Sequence, residues 1–200
     1  MGHLRLAEDA LAALPLESIL WVPSGVPGHR DAARASADDR LEMLRLALGT
    51  DPRYSIDEGE LALSEPTYTV NTLGRLRSEL GTSVPLVFLM GADQLLALDT
   101  WRQWRKLFDL AHFGVAERPG YPVKADAMSK ALAAEFAGRR TDPAALASRP
   151  TGMIALFPMR PTDLSSTEVR EELARGRSPE GKVPAPVLDY LRSRRLYSRS

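Results

Sequence analysis

No cysteine occurs anywhere in this chain of 200 residues, so neither a disulfide framework nor a thiolate metal cage can be built. Histidine is nearly as scarce. His3, His29 and His112 are scattered, which excludes a His-rich metal site. Charge of one sign is also missing: Lys plus Arg equals Asp plus Glu at 26 each. No global field therefore draws the chain to nucleic acid or to an anionic membrane, and any phosphate binding has to be local. The longest apolar run, Val84 to Met90, is too short to span a bilayer, and no basic region with an apolar run opens the chain. The expectation is a soluble, cytoplasmic protein with no nucleic-acid and no membrane partner. The sequence is read as holding no pair of carboxylates, no Ser/His/Asp set and no Gly-x-x-x-x-Gly-Lys phosphate loop, so neither covalent catalysis nor P-loop chemistry is expected.

What is present suits one domain over residues 1–200, since 44% hydrophobic content at this length buries about 70% of the unfolded surface. Leu4, Ala7, Leu11 and Leu14 share one face of a first helix, and Ser18 to Val22 reads as a strand. The breaker-rich loop 23–30 follows, then a helix from Asp38 carrying Leu41, Leu44 and Leu48, and a short strand at 53–57. Thr69 is placed to cap a helix over 70–80, and Pro85 to Met90 is the strongest strand signal, breaking at Gly91. One helix is expected through Leu95 to Leu98 and another from Trp101 to Leu110. A strand is expected at 111–116, a helix at 125–138, a loop at 141–150, a strand at 153–157 and two closing helices from Ser165 and Pro186. Strands alternating with helices imply right-handed parallel crossovers, hence an α/β fold with a doubly wound parallel sheet. Ligands of such sheets sit beyond the carboxyl ends of the strands, which selects the loops 23–30, 91–93, 117–120 and 162–167.

Three hydroxyls, Ser165, Ser166 and Thr167, crowd one of these helix starts, with Glu168 completing a capping box and Arg170 in the first turn. A cation is disfavoured at that end of the helix dipole, so Arg170 there makes better sense with an anion between. A plain helix start is the competing reading. Gly91 and Asp93 leave a buried strand for a helix, where glycine permits close approach and Asp93 either caps or accepts from ribose hydroxyls. Thr69 reads as a cap beside a core tyrosine, Tyr68. Trp101 and Trp104 lie three apart, core by default, though an indole at a site's edge offers a stacking surface. Arg118 follows a strand and precedes Pro119-Gly120, as a surface arginine or a phosphate contact, and His29 with Arg30 forms a basic loop. His112 reads as structural. Phosphoryl-type transfer asks little more of a protein than alignment and positive donors where charge accumulates.

The ordered set Met1-Gly2-His3-Leu4, Val22 to Arg30, Pro66 to Leu73, Gly91-Ala92-Asp93-Gln94-Leu95, Thr100-Trp101, Arg118-Pro119-Gly120-Tyr121 and Ser165 to Arg170 resembles bacterial nicotinate-nucleotide adenylyltransferase over nearly the whole chain. Single pieces are weak, whereas the ordered set is specific. The resemblance implies a Rossmann-like nucleotidyltransferase fold and adenylyl transfer from ATP to nicotinate mononucleotide, giving deamido-NAD and pyrophosphate. Mg²⁺ would be carried on the ATP phosphates. On the same resemblance His3 matches the second histidine of a His-x-Gly-His motif and stabilises charge on the triphosphate. Gly2, His3, Arg30, Ser165, Ser166, Thr167 and Arg170 would bind ATP, while Thr69, Gly91, Asp93, Trp101 and Arg118 would bind nicotinate mononucleotide. A homo-oligomer is compatible with the resemblance.

The departure sits at the front, where the family opens with a strand and Gly-Gly-x-Phe-Asp-Pro-x-His-x-Gly-His and this chain begins inside that motif at Met1-Gly2-His3. The expectation is a sheet without its first strand, a start codon internal to a longer gene, and little activity in the chain as written. Gly28 also stands where the family usually carries a second proline. Competing functions are a related adenylyltransferase acting on nicotinamide mononucleotide or phosphopantetheine, and a catalytically dead nucleotide-binding protein.

Overall fold

Both faces of the main sheet carry apolar side chains in strict alternation, and this decides how the helices are arranged. In the computed structural model, which describes residues 1–27, 35–118, 120, 122–161 and 166–197, the elements run α1 (Gly2–Ala13), β1 (Ile19–Trp21), β2 (Val26–Pro27), α2 (Ala37–Leu48), β3 (Tyr54–Ile56), β4 (Pro66–Thr67) and α3 (Thr69–Leu80). They continue with β5 (Val87–Gly91), α4 (Ala92–Leu96), α5 (Leu107–Leu110), β6 (His112–Glu117), α6 (Lys130–Arg139), β7 (Arg140–Thr141), β8 (Ile154–Pro158), α7 (Ser166–Ala174) and α8 (Ala185–Ser193). Every ladder among them is parallel, as the alternating pattern predicts. The α/β parallel-sheet expectation is met. No helix among the described residues is long and apolar enough to cross a membrane.

The chain divides into two compact units, one of residues 1–4, 18–67 and 162–200 and the other of residues 5–17 and 68–161. The second holds a four-stranded sheet in the order β5-β6-β8-β7. On one face Phe88 and Met90 of β5, Phe113 and Val115 of β6, and Ile154 and Leu156 of β8 meet helix side chains such as Val70, Leu73, Leu95, Leu132 and Phe136. On the other face Val87, Leu89, Ala116, Ala155 and Phe157 meet Ala10 and Leu14 of α1 and Leu146. Side chains alternate along a strand, so one sheet feeds two cores. Gly114 is the thin point of that second face, because a Cβ there would stand 2.8 Å from both Leu14 Cδ1 and Leu89 Cδ2.

Two buried polar residues fasten this unit. Arg77, 8% exposed, donates to the carbonyls of Leu110, Gly81, Val84 and Pro150, closing the ends of several segments with one guanidinium. His112 is fully buried. Its Nδ1 accepts from the Met153 N–H at 3.0 Å, so Nε2 carries the proton and donates to the Arg149 carbonyl at 2.7 Å. Burial holds its pKa below the usual histidine value, and the structural reading of His112 stands.

The first unit contains two two-stranded sheets, β1 with β3 and β2 with β4. Its helices meet through polar knots. Ser36 caps α2 by accepting from the Asp39 N–H, and the Asp39 carboxylate in turn accepts from Ser36, from the Tyr190 phenol at 2.9 Å and from Arg194. That arrangement lowers the pKa of Asp39 and raises that of Tyr190, each chiefly through the shared hydrogen bonds.

Several local expectations need correction. The helix expected from Trp101 to Leu110 is broken into a 3₁₀ turn at Trp104–Lys106 and the short α5, with Gln103 left-handed at φ 51°. Trp101 and Trp104 therefore do not share one helical face. Thr69 is the first residue of α3 rather than its cap, a position taken by Tyr68. Gly91 ends β5 instead of breaking it earlier, and the expected loop 141–150 holds β7 and a 3₁₀ helix at Pro143–Ser148 capped by Asp142. The helix expected over 125–138 is a 3₁₀ turn followed by α6. Short 3₁₀ pieces escape a reading based on a period of 3.6 residues.

Candidate functional site

The parallel register puts Gly91 of β5 opposite Ala116 of β6, and Glu117 of β6 opposite Pro158 of β8, so the carboxyl ends of three neighbouring strands form one rim. Gly91 and Arg118 thus leave adjacent strands on the same side of the sheet. A Cβ at Gly91 would stand 2.6 Å from Asp93 Oδ1, so any side chain there would push that carboxylate aside. Asp93 sits in the first turn of α4, exposed, and accepts from Gln94 Nε2 at 3.1 Å. Its acidic side chain suits that end of the helix dipole, and its remaining oxygen can accept from a ligand hydroxyl. Arg118 is exposed and has no ion-pair partner among the described residues. An arginine so placed is available to an anion.

Trp101 is half-buried and meets Phe88 of β5 edge-on at 6.0 Å, so one part of the indole is fixed by the core while the rest remains accessible. Trp104 packs edge-on to Phe108 at 6.3 Å with Arg105 over its ring, which fits its core assignment. Thr69 opens α3, and the preceding Tyr68 packs on the same core with the Arg102 guanidinium 4.7 Å from its ring centroid. Tyr68 is a core tyrosine, as expected. All five residues expected to bind nicotinate mononucleotide, Thr69, Gly91, Asp93, Trp101 and Arg118, fall in the one unit of residues 5–17 and 68–161.

Those residues expected to bind ATP that the structure describes, Gly2, His3, Ser166, Thr167 and Arg170, fall in the other unit. Gly2 and His3 lie in the first turn of α1, with His3 exposed, at the end where free backbone N–H groups favour negative charge. Ser166 opens α7, Thr167 and Glu168 are exposed in its first turn, and Arg170 is half-buried on the same helix. Arg30, His29, Gly28 and Ser165 lie outside the described residues, and so does the Ser166 side chain. The loop that leads toward residue 28 is tied at its near end. Glu60 Oε2 accepts from Thr67 Oγ1 at 2.8 Å and from the Gly25 N–H at 3.3 Å, and Arg40 donates to the Ser24 and Gly25 carbonyls.

Sequence reasoning missed Glu60, Arg40 and Glu117, because each acts through a tertiary contact that no spacing announces. It also passed over Gly176-Arg177-Ser178-Pro179-Glu180-Gly181-Lys182, which carries the glycines and lysine of a phosphate loop but is followed by Val183 rather than a hydroxyl. The structure disposes of that match. The segment joins α7 to α8 with no strand before it, and Lys182 is engaged with Glu172 at 2.7 Å.

The family model described as Cytidylyltransferase-like matches residues 1–172. A probable nicotinate-nucleotide adenylyltransferase of Dechloromonas aromatica is 44% identical over 200 residues, all of this chain and 92% of that protein. One of Laribacter hongkongensis is 44% identical, covering 98% of this chain and 88% of its own length. One of Aeromonas salmonicida is 43% identical, covering 98% and 91%. Among solved structures, Plasmodium falciparum nicotinic acid mononucleotide adenylyltransferase complexed with NaAD aligns at a TM-score of 0.68 and 17% identity, over 98% of this chain and 90% of that one. The same enzyme complexed with APC aligns at 0.66. At that identity the likeness is one of fold.

Proposed function

The chain belongs to the cytidylyltransferase-like family and, within it, to the bacterial nicotinate-nucleotide adenylyltransferases, and on that premise we propose that it transfers the adenylyl group of ATP to nicotinate mononucleotide, a step of NAD biosynthesis. The observation that carries the reading is the 44% identity over 200 residues, all of this chain and 92% of that relative. A phosphate oxygen of the mononucleotide attacks the α-phosphorus in line. The new P–O bond forms as the bond to the bridging oxygen breaks, and that electron pair leaves with pyrophosphate. No covalent enzyme intermediate enters. Gly91, Asp93, Thr69 and Trp101 would hold the mononucleotide, with the half-buried indole beside the pyridine ring and Arg118 on the phosphate. Gly2, His3, Arg30, Ser165, Ser166, Thr167 and Arg170 would hold ATP, and His3 would offset the charge that grows on the leaving pyrophosphate.

Mg²⁺ is proposed to arrive on the ATP phosphates, whose oxygens suit that hard cation. Among the described residues no group of three or more His, Asp or Glu is gathered. ATP consumption supports a cytoplasmic setting. The test is to supply the purified chain with ATP, Mg²⁺ and nicotinate mononucleotide and to follow deamido-NAD and pyrophosphate. Both products are expected in equal amounts above the enzyme-free level. Turnover with nicotinamide mononucleotide or phosphopantetheine alone would replace the acceptor, and silence with all three would overturn the assignment.

A further inference from the structure

Arg118 directly follows a glutamate whose side chain reaches beyond the strand to a contact of its own. Glu117 is the last residue of β6, its backbone fixed on the β8 side by register with Pro158 and by the Met159 N–H, which donates to its carbonyl at 2.8 Å. Its side chain turns the other way along the chain. Glu117 Oε1 accepts from the Val123 N–H at 2.7 Å, and Val123 is itself packed against the core cluster of Phe113 and Val115. The carboxylate thus ties Val123 to the end of β6, with Arg118 the next residue along the chain from Glu117. A charged acceptor on a backbone N–H makes a short, strong bond, and at 2.7 Å this one is at the short end of the range.

We propose that Glu117 is a positioning residue for the mononucleotide phosphate: by clamping Val123 it braces the end of β6 and sets Arg118 on the carboxyl rim beside Gly91 and Asp93. The inference rests on the functional reading above and deepens it. Direct electrostatics argue the opposite direction, because a carboxylate beside an anion-binding arginine repels the anion. In this chain the carboxylate instead accepts from the Val123 N–H.

The two effects separate cleanly by substitution. E117Q removes the charge yet keeps a carbonyl oxygen for the Val123 N–H, whereas E117A removes the clamp. Calorimetric titration of each variant with nicotinate mononucleotide and with MgATP gives the readout, backed by hydrogen exchange at the Val123 amide. Loss of one positioning hydrogen bond predicts that E117A weakens mononucleotide binding about tenfold, leaves MgATP binding within about twofold, and frees the Val123 amide to exchange. E117Q should bind both ligands within about twofold of the parent, with Val123 still protected. Combining E117A with R118A should weaken binding no further than R118A alone, since one acts through the other. Tighter mononucleotide binding in both E117Q and E117A would overturn the inference in favour of simple repulsion, and so would equal weakening toward both ligands. R118A is the control on the reading itself. If R118A binds the mononucleotide as the parent does, the phosphate assignment of Arg118 fails; if R118A weakens binding and E117A does not, only the positioning role fails.

Discussion

In the unit of residues 5–17 and 68–161, Phe108, Phe113 and Phe157 are 1% exposed or less, while the helix side chains Leu41, Leu48, Val187, Leu188 and Leu191 of the other unit keep between 4 and 8% of their surface. The difference follows from the sheets. Four parallel strands covered on both faces exclude water from two layers at once, whereas pairs of strands two or three residues long cannot. The first unit, of residues 1–4, 18–67 and 162–200, compensates with polar knots: Asp39 among Ser36, Tyr190 and Arg194, Glu60 between Gly25 and Thr67, and Arg45 with Glu58 at 2.6 Å. The candidate sites divide along the same line. Residues expected to hold a flat ring and one phosphate stand on the apolar unit, and those expected to grip a triphosphate stand on the polar one.

Breaking the apolar unit takes one polar residue. Arg77→Ala removes a guanidinium that satisfies the carbonyls of Leu110, Gly81, Val84 and Pro150, leaving them to find water in a nearly closed space. Orphaned buried polar groups cost about 1–3 kcal/mol each, so a net loss of about 3 kcal/mol or more is expected. For a chain of this size that is a fall of about 10 °C in Tm, read by scanning calorimetry. Arg77→Lys should recover less than half, because an ammonium cannot reach carbonyls spread across a planar fork. A variant melting within about 2 °C of the parent would show that the carbonyls are satisfied by other means.

Steric probes sharpen the comparison. Gly114→Ala drives a methyl toward the flexible ends of Leu14, Leu89 and Val87, which can rotate away, while Gly25→Ala drives one to 2.2 Å from the backbone carbonyl of Glu60. Overpacking of the first kind costs about 1–2 kcal/mol. The second cannot relax by a rotamer, so the polar unit must shift its β2–β4 ribbon and lose the Glu60 contacts. Gly114→Ala should lower Tm by about 3–6 °C and leave MgATP binding unchanged. Gly25→Ala should weaken MgATP binding by about tenfold or more, because it displaces the chain leading to residue 28. Equal effects of the two variants on both readouts would erase the proposed difference between the units.

The sequence made most of the first-order architecture legible. Apolar runs such as Val87 to Met90 and Phe113 to Ala116 declared buried strands, and the alternation with helices declared parallel pairing. Motif order located the rim residues Gly91, Asp93 and Arg118 at the ends of those strands. What stayed hidden depends on geometry between distant segments. Glu117 looks like any strand-terminal acid until Val123 folds back on it, and the partners of Arg77 lie up to 73 residues away. Trp101 to Leu110 failed for a local reason: the apolar spacing is helical, but left-handed Gln103 breaks the run so that Trp101 can lie against Phe88.

Acid offers the finest separation, because each unit holds its own titrating group. His112 has a folded pKa below its unfolded value of 6.5, so the unfolded chain takes up a proton first as the pH falls. Its contribution is complete above about pH 6.5 and is lost below it, at a slope of at most about 1.4 kcal/mol per pH unit. Asp51, held at about 2 by the Arg53 side chain and N–H, and Asp39, lowered by Ser36 and Tyr190, act in a lower window. Their contribution is complete above about pH 4 and disappears as the pH drops through their depressed folded values. The apolar unit should therefore begin to weaken below about pH 6.5 while the polar unit holds until about pH 4. Tryptophans make this measurable: a Trp21→Phe variant reports only through Trp101 and Trp104, and a Trp101→Phe/Trp104→Phe variant only through Trp21. Urea midpoints read from the first variant should slope downward below pH 6.5, and His112→Gln should flatten that slope at the expense of stability at neutral pH. Midpoints that slope alike for both reporters would mean that the two units unfold as one, and the contrast between an apolar and a polar half would then carry no energetic meaning.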